Sequence, residues 1–228
     1  YLNVSNLFNI DNGSIDLSTD DWPFFYMPYK KYPLSYLVII IIIFTISVIY
    51  TKYLIPINYT NFSITSFFLG AGFMLLETKG ITELALAYGS TWFVTAIVII
   101  FILLMAYFAN MFVIKFKPDI KYIYSLLILS IVLGLVTKYI DFSVYSSTII
   151  KIIFPILLTF PIFFSGLAFS SELKLISLET ALSSNILGAM FGGLVEYNTM
   201  YFGYKSLYII IIVMYVFAFL GTNKRKVI

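Results

Sequence analysis

The stretch GAGFMLLETKGITELALAYGSTW, Gly70 to Trp92, decides how the chain folds, because it places charges inside very apolar sequence. Glu77, Lys79 and Glu83 fall within seven residues of one another, directly after a long uncharged run. Either a membrane helix ends at these charges, or a membrane protein holds them in its interior. Both alternatives require a chain that spans a membrane, so the rest of the sequence should have the composition of a membrane protein.

Composition sets the class of protein. The chain has 228 residues, of which 61% are hydrophobic and 11% charged, whereas soluble domains average about 25% charged residues. Its 14 basic and 11 acidic residues form no basic face dense enough for a phosphate backbone, so no nucleic-acid partner is predicted. The sequence predicts an integral membrane protein whose main partner is the lipid bilayer.

The residue types also limit the chemistry. The chain contains neither Cys nor His, the usual ligands of zinc, haem and iron–sulfur clusters, so no metal site and no cofactor are predicted. Serines without histidine give no catalytic triad, and no glycine-rich phosphate loop is present. The last hydrophobic run, Ser206–Asn223, has no lysine for a retinal Schiff base. No catalytic residue is predicted.

Long uncharged runs indicate the fold class. The first has 18 residues and would rise roughly 27 Å as a helix, close to the ~30 Å hydrocarbon core of a bilayer. Such runs exceed the ~10-residue alternating segments of membrane barrels. We predict an all-α, polytopic transmembrane helix bundle with seven hydrophobic segments: Leu34–Thr51, Phe62–Leu76, Trp92–Ile114, Tyr122–Thr137, Ile152–Ser171, Thr180–Val195 and Ser206–Asn223.

Three regions follow from these runs. Residues 1–33 form a polar extramembrane segment, residues 34–223 the transmembrane helical domain, and residues 224–228 a basic tail. The chain begins with Tyr1 and residues 1–33 lack the basic stretch and short apolar core of a signal peptide. We therefore expect further sequence upstream.

Clusters of basic residues bear on the number of crossings, because lysine and arginine prefer the cytoplasmic side. The clusters are Lys30-Lys31, the group Lys115, Lys117 and Lys121, and the run Lys224 to Lys226. Seven crossings with a cytoplasmic C-terminus place the first cluster opposite the other two. Six crossings with one re-entrant segment, for which Phe62–Leu76 is the candidate, place all three clusters inside. The alternative to a re-entrant segment is a full, tilted helix of about 25 residues whose charged turn reaches the headgroups. Both alternatives remain open.

The charges of the opening stretch lie on a helix with small residues. Ser63, Gly70 and Glu77 recur by sevens on one face, and Lys79 and Glu83 are four residues apart, a spacing that lets them touch. Small residues allow close helix approach, so Glu77 would face protein or a water-filled cavity. The functional interpretation is a proton or cation relay. The alternative is a charge near the membrane interface that Lys79 partly neutralises.

A second stretch, SSNILGAMFGGLVEYNTMYFGY, repeats this arrangement. Ser184, Gly188, Gly192 and Glu196 each lie four residues apart along one helical stripe. Gly-x-x-x-Gly spacing is typical of close helix packing in membranes, and the carboxylate at its end is a candidate for a ligand site. Asn185 could bind a substrate or bond across the helix interface.

Two prolines fall within one predicted span. In KIIFPILLTFPIFFSG, Pro155 and Pro161 each remove a backbone donor and free a carbonyl four residues earlier. The sequence predicts a kinked or broken helix. Broken helices line ion sites in many transporters, but proline kinks are also ordinary features of membrane helices.

Four stretches carry a family resemblance: STDDWPFFYM (Ser18–Met27), FFLGAGFMLLETKGITELALAYGSTWFV (Phe67–Val94), PIFFSG (Pro161–Gly166) and GAMFGGLVEY (Gly188–Tyr197). Together they resemble the membrane region of multi-pass spermidine-synthase-like (aminopropyltransferase-like) membrane proteins. The resemblance implies a Rossmann-like domain before the TDDWPF segment. Asp20, Asp21, Trp22 and Phe24 would then form the junction, with both aromatic side chains packed between domain and membrane.

The chain departs from that family in one respect. It has no nucleotide-binding loop and none of the acidic motifs with which aminopropyltransferases bind their substrates. No catalytic residue can be carried over, so any such activity would lie upstream of Tyr1. A cytosolic upstream domain would require Lys30-Lys31 inside, which favours six crossings.

These observations give one leading hypothesis and two alternatives. The leading one is a non-catalytic membrane region that anchors a synthase-like domain and binds or passes a small, cationic metabolite near Glu77 and Glu196. The alternatives are a structural subunit of a larger membrane complex, which predicts other membrane subunits as partners, and a stand-alone secondary transporter. We expect location in a bacterial cytoplasmic membrane.

Overall fold

The computed structural model describes residues 16–54, 62–89, 91–137 and 147–225. The predictions for residues 1–15 and for the end of the basic tail, 226–228, lie outside this part of the chain. Within it the protein is built from eight helices and has no β-strand, only an isolated backbone bridge between Thr19 and Trp22. The helices are α1 (Leu34–Leu54), α2 (Ile64–Tyr88), α3 (Trp92–Phe116), α4 (Ile120–Thr137), α5 (Ser147–Glu172), α6 (Leu178–Glu196), α7 (Thr199–Phe202) and α8 (Lys205–Arg225).

Length and hydropathy make this a membrane protein. Among the described residues, five segments are long and apolar enough to cross a bilayer: Ile64–Leu86, Trp92–Phe116, Phe154–Glu172, Leu178–Phe202 and Lys205–Thr222. Two further apolar helices are shorter, at Leu34–Tyr50 and Ile120–Val136. The predicted all-α bundle is confirmed.

Helix α2 extends beyond the hydrophobic run. That run ends at Leu76, but the helix continues unbroken to Tyr88, 25 residues in all, which is the length expected of a full, tilted helix. Ser63 caps its start by accepting a hydrogen bond from the backbone N–H of Ser66. The helix passes through the charged turn because Lys79 and Glu83 pair with each other and are buried. An unbroken helix favours a full span over a re-entrant segment.

Helix α2 lies at the centre of the bundle and contacts α3, α5, α6 and α8. Its contacts with α6 advance together along both helices, from Phe67 beside Gly188 to Ala71 beside Gly192, so the two helices run parallel. Its contacts with α8 advance in opposite directions, from Thr65 beside Gly221 to Lys79 beside Tyr204. Helix α8 is therefore antiparallel to α2.

The second group of contacts joins α3, α4 and α5. A Cβ at Gly166 would lie 2.9 Å from the Cβ of Ala109, so α3 and α5 approach closely. Further along, Ser170 donates a hydrogen bond to Asn110. Helix α5 continues through both Pro155 and Pro161, so of the predicted kink or break, the break does not occur and the kink stays a prediction. The hydroxyl of Thr159 donates to the carbonyl oxygen of Pro155 at 2.8 Å, inside the proline-containing stretch.

The helix directions define two ends of the bundle. The junction end contains residues 16–33, the end of α2 and the start of α8, which are joined by hydrogen bonds. The basic end contains the start of α2 and the ends of α3, α5 and α8. Lys30 and Lys31 lie at the junction end, whereas Lys115 and Lys117 follow the end of α3 at the basic end. Among the described residues the two lysine clusters therefore lie at opposite ends of the bundle, as the alternative with seven crossings expects.

Candidate functional site

A buried ion pair lies inside the bundle, within the candidate span Ile64–Leu86. Lys79 Nζ is 2.8 Å from Glu83 Oε1, and each residue is 3% exposed. The four-residue spacing places both groups on the same face of α2. Charges removed from water require partners that satisfy their hydrogen bonds, and the neighbouring helices supply these partners.

Tyr208 on α8 supplies the main contact. Its hydroxyl lies 3.1 and 3.2 Å from the two carboxylate oxygens of Glu83 and 2.9 Å from the carbonyl oxygen of Gly134 on α4. Its ring lies under the ammonium of Lys79, with Nζ 3.7 Å from the ring centroid, a geometry that stabilises a cation. One tyrosine therefore contacts both charges and joins α2, α4 and α8.

Lys79 has a further acceptor at the junction end of the bundle. Its Nζ donates a 3.1 Å hydrogen bond to the carbonyl oxygen of Tyr204, immediately before α8 begins. The ammonium thus meets a carboxylate, an aromatic face and a backbone carbonyl. These three contacts compensate the loss of water around a buried charge.

A small cavity adjoins the pair. Its volume of about 10 Å³ is near the minimum that holds one water molecule. A Cβ added at Gly80, on its wall, would meet no atom within 4 Å. The lining residues are Leu76, Lys79, Gly80, Glu83, Gly134, Leu157, Leu158, Pro161 and Tyr208. Pro161 has no N–H for the carbonyl of Leu157, so the broken hydrogen-bond ladder of α5 faces the same region as the ion pair.

The other predicted polar residues do not join this site. Glu77 is half-buried and has no hydrogen bond or ion pair among the described residues. Glu196 on α6 lies near Thr78 of α2. Asn185 donates from Nδ2 to the carbonyl oxygen of Ser66 at 3.2 Å, which is the helix-to-helix role. The structure therefore brings together Lys79 and Glu83, and leaves the other three at separate positions.

The predicted small-residue stripe lies at the α2–α6 contact. Gly70, Ser184, Gly188 and Gly192 are all buried there. Ser184 Oγ accepts a 3.0 Å hydrogen bond from the backbone N–H of Ser63. A Cβ at Gly192 would lie 2.5 Å from the carbonyl oxygen of Ala71. These four residues allow the two backbones to approach more closely than side chains would permit.

A second buried carboxylate, at the basic end, was not predicted from the sequence. Glu172 is fully buried, and the hydroxyl of Ser63 donates to its Oε1 at 3.2 Å. Tyr208 and Gly134 were also missed. Each of these contacts joins segments more than seventy residues apart, so no local spacing in the sequence could have indicated them.

The predicted junction residues form an ordered contact with the bundle. The indole N–H of Trp22 donates a 2.7 Å hydrogen bond to the carbonyl oxygen of Met200, and Trp22 is 1% exposed. The ring of Phe24 stacks on that of Tyr204 with centroids 5.9 Å apart. Burial is the largest cause that raises the pKa of the Tyr204 hydroxyl, so the stacked phenol is neutral.

The two junction aspartates differ. Asp21 accepts from two backbone N–H groups at the start of α8: its carbonyl oxygen from Tyr204 at 2.7 Å, and its Oδ1 from Lys205 at 2.7 Å. Gly203 makes room for it, with φ +81 and a hypothetical Cβ only 2.8 Å from Asp21 Oδ2. Asp20 is exposed and makes no such contact. Asp21 therefore caps α8, although the sequence did not distinguish it from Asp20.

Comparisons with known proteins identify no family for this chain. Protein-family models, curated proteins and solved structures contain no match to the chain. Within the described residues, no group of three or more Asp, Glu, His or Cys side chains could hold a metal ion. The observed arrangement can hold charge inside the bundle and fix residues 16–33 to one end of it.

Proposed function

We propose that this chain is a non-catalytic membrane domain that anchors and positions a synthase-like domain preceding Tyr1. Support comes from the junction: Trp22 and Asp21 both attach the polar segment to the helices by buried or capping hydrogen bonds. A simple flexible tether would need no such contacts. A tether fixed at its membrane end restricts the orientation of whatever it carries.

The aromatic contacts of the junction also support the anchoring role. Trp22, Phe24, Met27 and Met200 form a small apolar cluster separate from the main core, with Tyr204 packed against it. Phe25, the neighbour of Phe24, is 85% exposed and is available to a domain lying above the bundle. The resemblance assigned the junction to this segment, and its fixed geometry suits that role.

The anchoring role is tested first by the intact mass of the natural polypeptide, read together with peptide sequencing upstream of Tyr1. A mass well above 26.1 kDa and an upstream synthase-like sequence are the expected result. Limited proteolysis at residues 16–33 should then release a soluble domain from membranes. A mass near 26.1 kDa would contradict the anchoring role and leave the complex-subunit and transporter alternatives.

The second candidate function is ion or ligand binding at the buried pair, favoured by the cavity beside Lys79 and Glu83. A cavity of about 10 Å³ accommodates a water molecule but no metabolite, so proton movement suits this conformation better than passage of a larger solute. In this second proposal the carboxylate that carries the proton is Glu83, in place of Glu77 and Glu196.

Proton movement can be measured in proteoliposomes that contain a pH-sensitive dye. We expect Glu83→Gln to abolish a proton flux that the unaltered protein supports. Glu77→Gln, on the same helix but without a hydrogen bond or ion pair to any described residue, is the matched control and should retain the flux. Equal flux in protein-free vesicles and in vesicles with the unaltered protein would refute this function and leave the anchoring role unaffected.

A further inference from the structure

The start of α8 is held from two sides. On the outer side, Asp21 accepts the backbone N–H groups of Tyr204 and Lys205, both at 2.7 Å. On the inner side, the ammonium of Lys79 donates to the carbonyl oxygen of Tyr204 at 3.1 Å. The peptide units around Tyr204 therefore contact the extramembrane junction and the intramembrane ion pair at the same time.

The hydrogen bond from Lys79 to Tyr204 is linked to the contacts of the ion pair. Lys79 also pairs with Glu83 at 2.8 Å, and the hydroxyl of Tyr208, one turn further along α8, reaches the same carboxylate. Moving the start of α8 would therefore displace the carbonyl acceptor of Lys79 and the tyrosine contact of Glu83 together. Buried charges need these partners, so the pair and the first turn of α8 should shift as one unit.

We propose that the first turn of α8 couples the junction segment, residues 19–28, to the Lys79–Glu83 ion pair. Displacing the junction loosens the pair and opens the adjoining cavity, and disrupting the pair loosens the junction. Reciprocity follows because a coupling free energy between two sites is the same in both directions. Only residues of this chain take part, so the coupling stands whether or not a domain precedes Tyr1.

The first experiment measures how accessible the cavity is to a thiol reagent when the junction is altered. The chain has no cysteine, so Gly80→Cys, which has open space at its Cβ, places a single thiol on the cavity wall. Its labelling rate with a small water-soluble methanethiosulfonate is measured in nanodiscs. Asp21→Ala should raise the rate several-fold, whereas the adjacent exposed Asp20→Ala should leave it unchanged.

A matched reporter separates coupling from general loosening. Thr222→Cys lies on α8 at the basic end, far from the first turn of that helix, and Thr222 is 1% exposed. Asp21→Ala should not change its labelling rate. Equal acceleration at Gly80→Cys and Thr222→Cys, or no acceleration at Gly80→Cys, would overturn the proposal.

The second experiment measures the fluorescence of Trp22 in the junction when the ion pair is altered. Trp22 and Trp92 are the chain's two tryptophans, so in a Trp92→Phe background the emission reports on Trp22 alone. The double variant Lys79→Met/Glu83→Gln removes the donor to Tyr204 without leaving an unpaired charge. Its Trp22 emission should shift to longer wavelength, with more quenching by acrylamide.

The control for this readout is Glu77→Gln, which removes a charge from α2 at a residue that has no hydrogen bond or ion pair to α8 in the described part of the chain. Its emission should match that of the background protein. A folded double variant, monodisperse on gel filtration, with unshifted Trp22 emission would also refute the coupling. The two experiments use different variants, so failure of one variant to fold leaves the other measurement decisive.

Discussion

Gly188 on α6 lies directly against the carbonyl oxygen of Phe67 on α2, so close that even a Cβ on Gly188 would collide with that backbone atom. The same relationship recurs one turn later, where Gly192 lies against the carbonyl oxygen of Ala71. Both neighbours are backbone atoms and cannot rotate away. The α2–α6 contact therefore depends on the absence of side chains at these two positions.

Gly188→Ala should destabilise the protein strongly. The added methyl group must push α2 and α6 apart, and overpacking of this kind costs about 1–3 kcal/mol or more. Gly193→Ala is the matched control, because the nearest atom to its Cβ would be the flexible Met74 Cε at 3.9 Å. Thermal unfolding in detergent should show a lower Tm for Gly188→Ala and a Tm close to the unaltered protein for Gly193→Ala. Equal values would contradict the close backbone contact.

Gly203→Ala should loosen the junction. It combines a positive φ of +81 with a Cβ 2.8 Å from Asp21 Oδ2, so the α8 cap must move. Gly89→Ala has a similar φ of +93 but no atom within 4 Å, and it isolates the backbone strain, about 1–3 kcal/mol. We expect proteolysis within residues 16–33 to accelerate for Gly203→Ala only. Acceleration in both variants would mean that backbone strain, and not contact with Asp21, controls this segment.

Removing one member of the ion pair should be more harmful than removing both. Lys79→Met leaves the carboxylate of Glu83 buried without its cation, which costs about 3–5 kcal/mol. Lys79→Met/Glu83→Gln leaves no net charge and should recover much of that loss. The two variants are compared by unfolding in the same detergent. A double variant less stable than Lys79→Met alone would show that Glu83 does not depend on Lys79.

Trp22→Phe should weaken the junction contact. It removes the indole donor and leaves the buried carbonyl oxygen of Met200 without it, at a cost of about 1–3 kcal/mol. Trp92→Phe is the control, because Trp92 is 83% exposed. We expect a lower Tm and faster cleavage of residues 16–33 for Trp22→Phe alone. Identical behaviour of the two variants would remove the proposed importance of the Trp22–Met200 hydrogen bond.

The orientation of the bundle is open to a direct measurement. The basic end carries Lys115, Lys117 and Lys121, so the preference of lysine for the cytoplasm predicts that this end faces inward. In intact cells, an impermeant maleimide should label Asp20→Cys at the junction end and spare Asp119→Cys at the basic end. The reverse pattern would place the junction in the cytoplasm, as a cytosolic upstream domain requires.

Local patterns predicted much of the fold. Long uncharged runs are sufficient to locate membrane helices because a bilayer demands about 20 apolar residues per span. The contact between Lys79 and Glu83 also follows from local geometry, since residues four apart share a helix face. Hydropathy alone ends the run at Leu76, but the neutralised Lys79–Glu83 pair remains within α2, which has the length of the full, tilted helix that was the alternative to a re-entrant segment.

The site itself required the tertiary structure. Tyr208 contacts Glu83 across 125 residues of chain, and its hydroxyl also contacts the carbonyl oxygen of Gly134 across 74 residues, so no local spacing in the sequence indicates these contacts. The difference between Asp20 and Asp21 is equally hidden, because which neighbour caps α8 depends on how the junction folds back. Glu77 and Glu196 attracted attention as carboxylates after small residues, but that spacing reflects the close approach of α2 and α6.

The placement of Lys79 and Glu83 one turn apart on α2 also bears on how the chain is inserted into the bilayer during synthesis. The ribosome completes α2 long before α8, so Tyr204 and Tyr208 do not yet exist when these two charges must leave water. A single charge at the centre of an inserting helix costs about 2.5–3.5 kcal/mol. Because α2 carries its own counterion, this pair can be inserted as a neutral unit, and the later helices need only enclose it.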